Sequence, residues 1–437
     1  MKAEHALSDD YKLASVPFVF CVSVEVTNSI PPWHECYSSN AVIDVQLAAQ
    51  SFPGGIHPFR DWLISRLTII PTQAAFTPGG IAGIWAVFAS KFPVIRSVIF
   101  YEPIWRKYCR QAFRQLVADN VWWAEFRLDF NFEFTLNEAT GPLDTLAGFD
   151  AAVRIFGEEL HRYQATQDGS AFWGARLIWT NLRSLPTKEI VRLMLYSIQV
   201  KKAHPTLIAG YDLVGHESAG RPLIEICPEL FWYSKECAAE GVLMPFFFHA
   251  GECLSTGDDT EGNMLTAVLL GTRRMGHGTA LYRHPQLMRT VTDKRILIEC
   301  CPISNEILRL VSGVHAHPFP ALIANGVAVS LSCDDPAIFG HHTIEPDSPA
   351  NFGQSPEFWQ ALRAFDDLGL AGLGSLAENS VRWAAYEDQD AKSWLSGILD
   401  GTVTRSIKSS RMKEWATSWE KFCIWIVEEY GTDIMVI

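Results

Sequence analysis

The chain has 437 residues, 48% hydrophobic and 19% charged, a balance that excludes a disordered or fibrous protein. Its formal charge of −13, from 36 basic against 49 acidic residues without a basic run, excludes a phosphate-backbone binder, which needs clustered Lys and Arg. Small neutral or weakly charged ligands remain, and the length suits either two domains or one large barrel.

At the N-terminus, "MKAEHALSDDYK" lacks the basic-then-apolar order of a signal peptide. The best strand-like run before residue 120 is "SVPFVFCVSVEV" (Ser15 to Val26), and the nearest histidine downstream of it is His34. Leu67 to Ser90 carries no charge, but Pro71, Pro78, Gly79, Gly80 and Gly83 interrupt it. It reads as a buried loop and helix, so no membrane partner is expected.

From about residue 120 a rhythm sets in. Apolar runs at Val121 to Phe130, Ala175 to Arg183, Leu207 to Gly215 and Leu243 to Glu252 alternate with helix-patterned stretches. The series continues at Arg274 to Gly278, Ile296 to Asn305 and Val327 to Pro336. Between the runs, "TKEIVRLMLYSIQVKKA" and "TAVLLGTRR" space their apolar residues as helices do. Beyond Asp335, "EFWQALRAFDDLGL", "LAENSVRWAAYE" and "MKEWATSWEKFCIWIVEEY" read as helices, the last docking through Trp415, Trp419, Phe422 and Ile426.

Continuous apolar strands separated by helices predict a parallel sheet covered on both faces. Polar groups collect at the strand ends: Arg127 and Asp129, Gly215 and Glu217, His249 and Glu252, His277, Ser304 and Asn305, Asp334 and Asp335. That distribution favours a TIM-type (β/α)8 barrel over a doubly wound sheet, whose polar loops gather at one crevice. Residues 1–115 read as an N-terminal segment with a degenerate first strand and helices, and 116–437 as the barrel body with C-terminal helices. Together they form one structural domain.

Ten cysteines without a Cys-x-x-Cys pair, and no Asn-x-Ser/Thr sequon, point to a reduced, cytoplasmic setting. His249, Glu252, His277, Asp334 and Asp335 contain the parts for metal-assisted hydrolysis. Imidazole and carboxylate suit Zn²⁺, which brings the pKa of a water from about 16 towards 7. A second histidine can hold or deprotonate that water, and a glutamate can pass a proton to substrate. Taken singly each residue has a plainer role, as a hydrogen-bonded core histidine, a helix cap or a turn.

"HAGE", "RMGHG", "ECCPISNEIL" and "SLSCDDPAIF", in that order, resemble the serial motifs of the adenosine deaminase family, in the metallo-dependent hydrolase superfamily. "GYDLVGHE", "DNVWWAEFR" and "ENSVRWAA" resemble its adenosine deaminase-related growth factor branch, and the likeness runs from about residue 75 to 430. The resemblance implies one Zn²⁺ per chain and hydrolysis of adenosine or 2′-deoxyadenosine to inosine or deoxyinosine and ammonia. His249 and Asp334 would be metal ligands, and Glu252 the proton donor to purine N1. His277 would orient and deprotonate the water, Asp335 would bond the purine and position the nucleophile, and Gly215 would contact the base through its backbone. Relatives in this branch are often secreted, and a homodimer stays open beside a monomer.

One family signature is missing from its place, a His-x-His at the end of the first strand that supplies two more ligands. His315-Ala316-His317 is the chain's only such pair and falls between the last two strands, where His317-Pro318 matches a structural His-Pro. It therefore reads as a decoy. His5, in "AEHALSDD", gives one histidine where two are needed. A late start, an alternative start and a real loss read alike. Known catalytic zinc sites use three or more protein ligands, so a catalytically impaired relative is the competing expectation. A barrel amidohydrolase acting on adenine is a third, against which "GYDLVGHE" speaks.

Overall fold

The computed structural model describes residues 45–340, 353–401, 403 and 405–434. The expected first strand at 15–26, with His5 and His34, lies outside the described residues.

Seven parallel strands follow in chain order: β1 (Trp123–Asp129), β2 (Gly174–Leu182), β3 (Ile208–Val214), β4 (His249–Ala250), β5 (Arg274–His277), β6 (Leu297–Cys300) and β7 (Val329–Leu331). β1-β2-β3 and β4-β5-β6-β7 are each laddered, and a parallel bridge between Tyr211 and Phe246 joins the two groups. Each strand thus pairs with the next in sequence, as in a barrel. β2 and β3 are almost wholly buried because both faces are covered, the reason their sequences run apolar without alternation.

The triple phenylalanine behaves as a strand in its hydrogen bonds although only His249 and Ala250 are regular. Phe247 N donates to Tyr211 O at 3.0 Å, and Phe246 O accepts from Arg273 N at 2.9 Å. Three expectations need adjusting. "PISN" is not the tail of a strand but opens the helix Pro302–Ile307, since Pro suits a first helical turn. "TAVLLGTRR" is helical only to Leu269 (Asn263–Leu269), and Arg274 already belongs to β5. The loop expected to be buried after Leu67 is largely exposed, with Phe76 at 80%. Its helix, Gly80–Ile99, is long and apolar enough to cross a membrane by length and composition. Ile84, Trp85, Val87 and Phe88 of that helix pack with Leu308, Ile338 and Phe339.

Helices Thr145–Gln164, Thr187–Ala203 and Leu223–Ala239 follow β1, β2 and β3, and their buried faces complete the main core. The second coincides with the helix read from the sequence. Helix Ile407–Ile434 packs on helix Gly369–Arg382, where Gly374 admits the Trp419 ring: a Cβ there would lie 2.5 Å from it.

The two ends of the strand series differ. Every residue of β1 is half-buried and lines a cavity of about 2480 Å³ that also reaches the strand C-termini. At β7, Ala328 O accepts from Ile298 N and Ser332 N donates to Cys300 O, so alternate groups face β6. The carbonyls that face away, Val329 O and Leu331 O, accept from Asn379 Nδ2 and Gln354 Nε2, each at 2.8 Å. Among the described residues no strand pairs with the outer edge of β1 or of β7.

Candidate active site

Gly215, His249, Glu252, His277, Asp334 and Asp335 all line this cavity, so the barrel brings together the whole sequence-predicted set. Strand alternation and the parallel arrangement put them at one end. Two of them hold unusual backbone: His277 has φ of +60° and Asp334 +52°. Non-glycine residues in that region carry local strain, which clusters at functional sites. Gly215, at φ +100°, has a conformation that a side chain would resist.

His249 is fixed by Asp212, a residue the sequence reading passed over. Asp212 Oδ1 accepts from His249 N at 2.9 Å and Oδ2 lies 2.6 Å from His249 Nδ1. Arg127 Nε donates to the same Oδ2 at 2.7 Å, and its Nη2 reaches Glu299 Oε2 at 2.6 Å and Phe247 O at 3.1 Å. Burial alone would raise the Asp212 carboxyl, but His249 and Arg127 outweigh it and hold it at about 2. An ionised carboxylate only accepts, so His249 Nδ1 carries a proton, and in the neutral ring Nε2 would hold the lone pair. Arg127, expected simply as a polar strand-end residue, ties β1 to β3 and β6. Glu299 continues the chain to Arg274 Nε at 2.7 Å, and Arg274 pairs with Glu125. Asp129, at the end of β1, has Arg96 as its one ion-pair partner among the described residues, at 3.4 Å, and burial lifts its carboxyl to about 6.

Opposite lies a group of carboxyl groups short of cations. Burial, together with Asp334 and Glu217, drives Glu252 well above the usual carboxylate range despite Arg183. Burial and Asp334 do the same to Asp335. Arg183 bonds Glu217 Oε1 at 3.3 Å and the carbonyls of Leu213 and His249 at 3.0 and 2.9 Å, tying β2, β3 and β4. Ser304 Oγ donates to Asp334 Oδ2 at 2.7 Å. Ligand atoms of His277, Cys301 and Asp334 lie within 4.8 Å of one another. Cys301 is a donor outside the sequence-predicted set, and burial holds its thiol well above its usual range. The trio does not include His249; imidazole nitrogen, carboxylate oxygen and thiol sulfur are the donor types that a zinc-like cation takes.

Glu357 accepts from Ile303 N at 3.2 Å and is pushed well above the carboxylate range by burial. A group raised in this way stabilises the fold below its unfolded pKa and loses that contribution as pH rises. Glu357→Gln keeps an acceptor for Ile303 without a charge. It is expected to raise the urea midpoint at pH 8 more than at pH 5; equal shifts would show that Glu357 is not buried as a neutral acid.

A parallel barrel with His, Glu and Asp gathered at its strand C-termini defines the barrel class of hydrolases. A solved amidohydrolase from Burkholderia ambifaria, with bound Zn, shares the fold: TM-score 0.53, 20% identity, 82% of this chain and 86% of that one covered. The family model described as adenosine deaminase matches residues 81–400, and the chain belongs to the adenosine deaminase family. Adenosine deaminase 2-A of Danio rerio is 32% identical over 323 residues, 72% of this chain and 59% of that protein. Adenosine deaminase 2 of Homo sapiens is 30% identical over 370 residues, 83% of this chain and 64% of that protein. The chain thus spans about three fifths of the length of these curated relatives.

Proposed function

We propose that the chain hydrolyses adenosine or 2′-deoxyadenosine to the corresponding inosine and ammonia with one bound Zn²⁺. The observation that carries this reading is the meeting of Glu252, His277, Asp334 and Asp335 in one cavity of a chain from this family.

His249 Nε2 and an Asp334 oxygen would hold the ion, with Cys301 Sγ, within 4.8 Å of an Asp334 oxygen, as a further donor. When bound, such an ion makes a water acidic enough to furnish hydroxide at neutral pH. Burial among carboxyls raises Glu252 well above the usual carboxylate range and so favours its protonated form, which would donate the proton to purine N1. That protonation withdraws electrons from C6, where the oxygen of water adds. Burial and Asp334 favour the protonated form of Asp335 as well, which would donate a hydrogen bond to the base. The backbone at Gly215 receives the base edge, and Trp85, stacked on His216 at 4.7 Å, lies at the cavity wall. A proton from the added water passes to the C6 amine, which leaves as ammonia while the water oxygen becomes the new 6-oxo group, so substrate and water account for both products.

Falling absorbance at the adenosine maximum, with inosine identified by chromatography, tests the reading on zinc-loaded protein. Turnover of at least about 1 s⁻¹ is expected for an enzyme of ordinary efficiency. No inosine at micromolar enzyme would favour the impaired relative, and release of hypoxanthine from adenine alone would favour a base deaminase.

A further inference from the structure

His315-Ala316-His317 splits in the structure: His315 is exposed, whereas His317 is buried and turned inward. The direction of every proton around it follows from one fixed donor. The backbone N–H of Phe319 can only donate, and its acceptor is His317 Nδ1 at 3.2 Å. A ring nitrogen that accepts carries no proton, so His317 is neutral and protonated on Nε2. That Nε2 lies 3.0 Å from Asn305 Oδ1, which also accepts from Thr279 Oγ1 at 3.2 Å. Two donors on one side fix the amide, since its oxygen must face them. The amide nitrogen is therefore turned to His277 Nδ1, 3.1 Å away. It can only donate, so Nδ1 of His277 is also an acceptor, and the proton of that ring sits on Nε2. Glu252 Oε1 stands 3.5 Å from the same Nδ1. Burial raises that carboxyl well above its usual range, and its protonated form needs no N–H there.

We propose that His317 and Asn305 are positioning residues that lock His277 in the Nε2–H tautomer, so that His277 serves the reaction as a hydrogen-bond donor and not as a base. The proton's location stands on the hydrogen-bond chain alone; only its use in catalysis rests on the deaminase reading above. His277 keeps the orienting part of the role expected from the sequence and gives up the deprotonating part. The two site histidines are then set oppositely, His249 by a carboxylate and His277 by an amide. One offers a lone pair to a cation and the other an N–H to an oxygen.

Long-range proton–nitrogen correlation spectra of histidine-labelled protein, metal-free and zinc-loaded, read the tautomer directly, with His277 assigned from the His277→Gln spectrum. The parent is expected to show a protonated Nε2 and a bare Nδ1 at His277 in both forms. A protonated Nδ1 would overturn the proposal. Asn305→Asp places an anionic acceptor before Nδ1 and is expected to invert the pattern, lowering kcat about 10²-fold with KM within about 3-fold. Should that variant not fold, His317→Gln, which keeps an amide donor for Asn305, is expected to retain the parent pattern, and His317→Phe to mix the two. An unchanged pattern in His317→Phe would also overturn it. An inert chain with the Nε2–H pattern supports the relay and refutes the deaminase reading, whereas an active chain with the Nδ1–H pattern does the reverse.

Discussion

Asp212→Ala is expected to cost the fold about 3–5 kcal/mol in urea unfolding, the scale for breaking a buried charged pair. Asp212 is fully buried and receives three hydrogen bonds in which His249 and Arg127 are the donors. Its removal leaves the Arg127 guanidinium with Glu299 as its one carboxylate and strands the Nδ1–H of His249. Zinc retention, followed by competition with a chelator, is expected to fall about 10–100-fold, because the outer partner of a ligating imidazole sets its orientation and basicity. Asp212→Asn preserves the shape and separates the two effects, since an amide oxygen can still accept from Nδ1 while the charge is lost. The same linkage sets an acid limit. The folded carboxyls of Asp212 and Glu299 lie at about 2, so their stabilisation is complete above the unfolded range near 4 and drains away as pH falls towards 2. An Asp212→Ala protein as stable as its parent would mean that Arg127 finds other partners at no cost.

Glu252→Gln is expected to lower kcat on adenosine about 10²–10⁴-fold, the usual worth of a positioned general acid. KM is expected to change far less, because an amide can still hydrogen-bond the ring nitrogen but cannot protonate it. Stability is expected to hold or to rise above neutral pH, since the substitution removes an acid whose ionisation burial opposes. This pattern, activity lost and fold retained, distinguishes a proton donor from a structural carboxyl. Retention of more than about a tenth of kcat would place the acid elsewhere.

The strands and the inward-facing set were legible because buried parallel strands cannot hide their composition. A run such as Ala175 to Arg183 has no other reading, and the polar residues that close each run lie where the strands end. Asp212 was not legible, although an acid inside "LIAGYDLVG" was a signal, since a charge in a fully buried strand needs a partner. The partner, Arg127, stands 85 positions away on β1, and nothing in one sequence joins the two. Cys301 was not among the predicted ligands; only the turn into helix Pro302–Ile307 brings it beside Asp334. His317 was read as a structural histidine, and its link to His277 passes through Asn305, which the sequence presents as one more polar strand end.

The amide-capped edge of β7 bears on how copies of this chain meet. Sheets with open sides tend to extend by borrowing a strand from a neighbour, the first step towards linear polymers. Here Asn379 and Gln354 already occupy the two carbonyls an incoming strand would need, and both sit on helices packed against β7. A borrowed strand could add there only after those helices withdrew. On that side, strand exchange between copies would first have to displace two neutral side chains.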